Sequence, residues 1–153
     1  MIRKILVALD GSEPSWHALE YGIDFAVRRG AELTLLAVIP RVMLPVFPDE
    51  GFGATPIAAA KDFGQYQDRM RGIYQNVLME AEARLKLEHP DVRLVTRLEE
   101  GRPSATIVEV AEQGDFDLIV MGSRGIGGIT GWILGSTSRR VVDSCTKPIL
   151  IVK

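Results

Sequence analysis

The chain has 153 residues, 46% of them hydrophobic and 25% charged, with a formal net charge of −2. That length suits one domain around one substantial core, and the near balance of charge argues against nucleic acid or another polyanion as partner. No apolar run reaches the roughly 18 residues of a membrane span and no signal-peptide profile precedes the first strand pattern, so a soluble, cytoplasmic protein is expected.

In chain order, "IRKILVALD" is almost continuously apolar over residues 5–9, the pattern of a strand covered on both faces. Asp10-Gly11-Ser12 interrupts it. Ser12 can cap a helix with Pro14 in its first turn and Ala18, Leu19, Gly22, Phe25 and Ala26 on one face, ended by Gly30. A second strand, "ELTLLAVI", follows, and then residues 40–64 lose all periodicity among prolines, glycines and small side chains, an unusually long loop insertion. Residues 66–88 regain helical spacing through Met70, Ile73, Tyr74, Val77, Ala81 and Leu85, and His89-Pro90 closes that helix. The third strand, "VRLVTRL", alternates better than the others and so belongs near a sheet edge, with Glu99-Glu100-Gly101 as its turn. A helix over 103–113, the strand "DLIVMG", a glycine segment, a helix over 136–144 and the strand "PILIV" complete five strands and four helical segments. Such alternation predicts a single open parallel sheet with helices on both faces. No repeat and no linker divides the chain.

The glycine segment, "GSRGIGGITGWILGST", raises the functional question. Glycine weakens packed structure, so its concentration marks either a loose loop or a backbone that must approach something closely. In open parallel sheets ligands settle beyond the carboxyl ends of the strands, where crossovers leave in opposite directions. Asp10-Gly11-Ser12 leaves strand one and Gly122-Ser123-Arg124-Gly125 leaves strand four. If those strands are neighbours, a carboxylate and a hydroxyl face a glycine loop whose far end, Gly135-Ser136-Thr137, opens a helix. Unpaired N–H groups at a helix start bind phosphate well.

Gly122, two residues, Gly125, nine residues, then Gly135-Ser136 resembles the nucleotide-binding signature of the universal stress protein family. So do "ILVALDGS", "LTLLAVI", "EGRPSATIVEVA", "FDLIVMGSRG" and "GSTSRRVVDSCTKPILIV", which together cover the whole chain. The resemblance implies a Rossmann-like fold of the adenine nucleotide alpha hydrolase type with strand order 3-2-1-4-5, and a nucleotide-dependent stress-response module. It implies ATP as ligand, with ADP and AMP as alternatives, accompanied by Mg. By the same likeness Asp10 with Ser12 and the backbone near Ala8 and Val38 would hold adenosine. Met121, Gly122, Arg124 and Gly125 would line ribose and first phosphate, and Gly135, Ser136 and Thr137 would take the outer phosphates. It further implies a homodimer through the last strand, residues 148–152, and a protein partner whose identity it does not give.

Competing readings stand beside these. Asp10 can cap the turn after its strand or touch ligand, and Arg124 can be a solvated loop cation or a bidentate phosphate partner. Trp132 and Ile133 can anchor a lid or pack. Residues 41–63 can form a flap, a docking surface or a disordered stretch. Arg139 and Arg140 read as surface charges, and the one cysteine, Cys145, as a small buried apolar residue. The glycine loop precedes a strand that ends at Lys153, leaving no room for the acidic ribose partner of NAD sites, and no G-x-x-x-x-G-K-[ST] occurs. Catalytic signals are thin. His17 and His89 stand alone and no nucleophile elbow is present, so an enzyme reading extends at most to a slow ATPase or phosphotransferase. A dimeric scaffold without nucleotide is the remaining alternative.

Overall fold

The computed structural model describes residues 1–42, 56–125 and 134–153, the side chains of 56–60 excepted. The expectations for Trp132 and Ile133, and for most of the 40–64 insertion, lie outside the described residues. Nine elements follow one another: β1 (Lys4–Ala8), α1 (Glu13–Arg29), β2 (Glu32–Pro40), α2 (Pro56–Glu88), β3 (Leu94–Gly101), α3 (Pro103–Gln113), β4 (Leu118–Gly122), α4 (Ser136–Ser144) and β5 (Ile149–Val152). The strands form one parallel sheet in the order β3-β2-β1-β4-β5, as expected, with β3 and β5 at its edges.

Alternate side chains of the central strands feed two cores. Ile5, Val7, Leu33, Leu35 and Val120 pack under α1 and α2, while Leu6, Leu36, Val38, Ile119 and Met121 pack under α3 and α4. Burial on both faces explains why these strands read as apolar runs rather than as alternation. The sheet therefore has α1 and α2 on one face and α3 and α4 on the other. Since β1 sends its chain to β2 and β4 sends its chain to β5, the crossovers diverge between β1 and β4, and a crevice opens at their carboxyl ends.

Local chemistry sets the boundaries. Ser12 caps α1 by accepting from the Ser15 N–H, Pro14 occupies the first turn, and Gly30 ends the helix in the left-handed conformation at φ 62°. At the opposite end of the sheet the Asp117 carboxylate accepts from the Arg3 and Lys4 N–H groups at 2.7 and 2.9 Å, which holds its pKa below the usual carboxylate range. Among the described residues no helix is long and apolar enough to cross a membrane.

Two boundaries and the burial of one side chain differ from expectation. The second helix begins at Pro56 rather than near residue 66, so the final part of the presumed loop insertion is helical. β3 runs on through Glu99, Glu100 and Gly101, which pair with Val38, Ile39 and Pro40 instead of turning. Cys145 is only partly buried, and its thiol reaches the Glu112 carboxylate at 3.6 Å alongside the Thr146 N–H and hydroxyl. Glu112 is thus the shared acceptor of the turn before β5.

α2 contains Gly64 and Gly72, and a Cβ at either would meet no atom within 4 Å. Each glycine costs helix stability with no packing return, so Gly64→Ala and Gly72→Ala are each expected to stabilise the fold by about 0.5–1 kcal/mol. Thermal denaturation should register each as a rise in Tm of roughly 1–4 °C.

Candidate functional site

The crevice between β1 and β4 is a cavity of about 360 Å³, within the size range of small-molecule sites. Its floor is apolar and comes from the α3/α4 face of the sheet: Ala8, Leu36, Val38 and Met121, joined by Ile107 from α3. One wall is the turn after β1. Gly11 adopts φ 83°, which a side chain rarely tolerates, and this reverses the chain sharply enough for the Asp10 carboxylate to fold back over the turn. Asp10 Oδ1 accepts from the Ser12 N–H at 2.9 Å and from the Ser12 hydroxyl at 2.5 Å. Asp10 therefore caps the turn and lines the cavity as well, so its two sequence readings are compatible.

The opposite wall is the segment after β4. Gly122 is pressed against the start of α1, where an added Cβ would lie 2.8 Å from the carbonyl carbon of Pro14 and 2.9 Å from the Ser15 nitrogen. Gly125 abuts the other loop, since a Cβ there would stand 2.8 Å from Asp10 Oδ2. Arg124 is half-buried and lines the cavity, and its carbonyl lies 3.3 Å from the Ser12 hydroxyl. The two loops are thus in mutual contact; a side chain at 122 would press on the backbone at the start of α1, whereas one at 125 would meet the end of the Asp10 side chain.

Helix α4 opens into this wall. Its N-cap is Gly135, with no side-chain cap, so the first-turn amides keep their partial positive charge on the side of the cavity that Ser136, Thr137 and Ser138 line. The Gly135 amide itself donates to the Ser123 carbonyl at 2.8 Å, and the Ser138 hydroxyl donates to the same oxygen at 2.8 Å. What Gly135 supplies is clearance: a Cβ would come within 3.3 Å of Arg124 Cα.

Ala8, Asp10, Val38, Met121, Gly122, Arg124, Gly125, Gly135, Ser136 and Thr137 all line this one cavity. Ser12 does not, and reaches it only through its bonds to Asp10. Sequence reasoning missed Pro40, Tyr74, Pro103 and Ile107, which also line it. Pro103 and Ile107 lie one turn apart at the start of α3, a spacing that marks a helix face but not the object it faces. Tyr74 comes from α2, on the far face of the sheet, and is only 7% exposed. Burial and then the nearby Asp10 charge push its phenol pKa above the usual tyrosine value.

A profile of the Universal stress protein family matches residues 1–153. The chain belongs to this family. A universal stress protein of Mycolicibacterium smegmatis is 34% identical over 97% of the chain, which spans 45% of that longer relative. Universal stress protein YxiE of Bacillus subtilis is 31% identical, with both chains covered in full. Among solved structures, a universal stress protein in complex with cAMP superposes with a TM-score of 0.68 at 25% identity, covering 99% of this chain and 97% of that one. The two relatives show that the family's domain occurs both alone at this length and within longer proteins.

Proposed function

We propose that the chain is an ATP-binding universal stress protein, a binding module whose nucleotide occupancy changes a surface read by partner proteins in the cytoplasm. The observation that carries this reading is the convergence of an apolar floor, a glycine-lined gap and an uncapped helix start in one cavity. A purine fits the apolar end, and phosphates fit the amides of α4. The family relative that binds cAMP supports an adenine nucleotide as the ligand class, with ADP or AMP as shorter occupants of the same site. Among the described residues no three His, Cys, Asp or Glu side chains converge, which suits an Mg²⁺ held mainly by phosphates and water.

Asp10 is the one carboxylate among the described cavity-lining residues, and no histidine accompanies it. A site so equipped retains nucleotide and hydrolyses it slowly if at all. The same proposal includes a homodimer through residues 148–152. β5 is an edge strand whose Ile149, Leu150 and Ile151 are partly exposed, and such an edge favours pairing with its own copy.

Denaturing the purified protein and analysing the supernatant is expected to yield an adenine nucleotide at close to one per chain. Calorimetry with ATP and Mg²⁺ on the stripped protein should show saturable binding, and bound ATP should persist over hours. Absence of both nucleotide and heat would overturn the proposal, and rapid turnover would replace a binding module with an enzyme.

A further inference from the structure

We infer that the Tyr74 phenol is a ligand group of this cavity, hydrogen-bonded to a sugar hydroxyl, and that it makes the site discriminate against a nucleotide that lacks that hydroxyl. This rests on the nucleotide reading above and adds to it a residue that the glycine signature does not include.

Helix α2 packs on the face of the sheet opposite the apolar floor, yet it reaches over the carboxyl ends of the strands. Val77 fixes its height: a Cβ on Gly11 would touch Val77 Cγ2 at 3.0 Å, so the helix rests on the turn after β1. Tyr74, three residues earlier on the same helix face, consequently falls at the cavity beside Asp10. Glu100, at the end of β3, holds the preceding turns of α2 by accepting from Gln67 and Arg71, each at 3.1 Å.

The Tyr74 ring is buried, while its hydroxyl makes no hydrogen bond among the described residues and is not one of their buried unpartnered atoms, so it opens onto the cavity. A hydroxyl that opens onto a cavity with no protein partner has its donor and its acceptor available to whatever occupies that cavity. Location narrows what that occupant is. Tyr74 stands near enough to Asp10 to feel its charge, and both line the cavity that the apolar floor and the start of α4 also line. Asp10 is a carboxylate with Oδ1 committed to Ser12 and Oδ2 lying against Gly125, and a phosphate placed beside it would be repelled. A neutral group that donates to one oxygen and accepts from another suits this spot, and sugar hydroxyls are the groups of a nucleotide that do both. The phenol remains protonated through the physiological range, because burial and Asp10 oppose its ionisation.

Calorimetry with ATP, 2′-deoxyATP and 3′-deoxyATP, on the full chain and on Tyr74→Phe, tests this. The ring stays in the core and no described hydrogen bond is lost, so the ligand-free variant should melt with the parent. The parent is expected to bind one of the two deoxy analogues about 3- to 10-fold more weakly than ATP. Tyr74→Phe should lose a similar factor for ATP and nothing further for that analogue. Equal ATP affinity in parent and variant, or an equal loss for all three ligands, would overturn the role of Tyr74 while leaving the nucleotide site standing. Failure of the parent to bind any of the three would overturn the nucleotide reading itself, and this inference with it.

Discussion

Gly135→Asp is expected to reduce ATP affinity by at least about 100-fold while leaving the fold as stable as before. The two halves of this outcome have separate causes. Gly135 has φ −62° and ψ 165°, ordinary extended values that any residue adopts, and it is the N-cap of a helix with no side-chain cap. Aspartate is among the preferred N-cap residues and gains a few tenths of a kcal/mol over glycine there, roughly offsetting the approach of its Cβ to Arg124 Cα at 3.3 Å. A capping carboxylate, however, takes the amides and the positive helix end for itself. It also sets a fixed negative charge where phosphate would rest, and two unit charges about 4 Å apart near a protein surface repel by about 4 kcal/mol. Calorimetry and thermal denaturation on the same preparation should give lost binding with unchanged Tm. Gly135→Asn, which caps without charge, should retain part of the affinity. Full binding by the aspartate variant would remove the start of α4 from the site.

Gly122→Ala is expected to cost about 3 kcal/mol of stability, seen as a fall in Tm of roughly 6–12 °C. One methyl group rarely costs so much. Here it would lie 2.8–2.9 Å from Pro14 and from the Ser15 nitrogen, atoms of backbone and of a proline ring that cannot rotate away. Relief requires α1 to lift from the end of β4, and the Asp10-Gly11-Ser12 turn travels with it. Affinity should therefore fall together with stability, in contrast to Gly135→Asp, where only affinity falls. A variant that melts with the parent would show that the two loops part without penalty.

Most of the architecture was legible because each signal in the sequence had a single physical meaning. Apolar runs such as "KILVALD" and "DLIVMG" demanded burial on both faces, and hence a parallel sheet between helices. The Ser12-x-Pro14 start and the Gly30 stop fixed α1 to the residue. The order of the strands followed from likeness to a family rather than from the pattern, since alternation alone does not say which strands are neighbours. Glu99 and Glu100 were misread as a turn because charge suggested solvent. At a sheet edge, however, a strand's backbone can pair while its side chains stay in water, and Glu100 does so in order to hold Arg71. The start of α2 was missed because "ATPIAAAKDF" was judged with the prolines and glycines before it, although a proline followed by alanines is a sound beginning for a helix.

The glycine wall of the candidate site was legible for a related reason. Gly122, Gly125 and Gly135 each stand close to another part of the chain, and a missing side chain is visible in sequence even when the neighbour is not. Tyr74 and Ile107 were not legible as site residues. Both sit in helical stripes of apolar spacing, and the arc of a stripe that overhangs a crevice depends on how far the helix projects past the sheet. That distance is set by contacts such as Val77 on Gly11, between residues far apart in the chain.

The Ser123 carbonyl has a thermodynamic consequence for any ligand that arrives. It accepts both the Gly135 amide and the Ser138 hydroxyl, while the Ser123 amide is tethered to Val152 at 2.6 Å. The two ends of the stretch 124–134 are therefore clasped before anything binds. Tying together the ends of a free chain of that length costs about 2 kcal/mol in entropy. Folding has already met that cost, so an incoming anion finds Ser123 and Gly135 already held together and spends its contact energy on affinity.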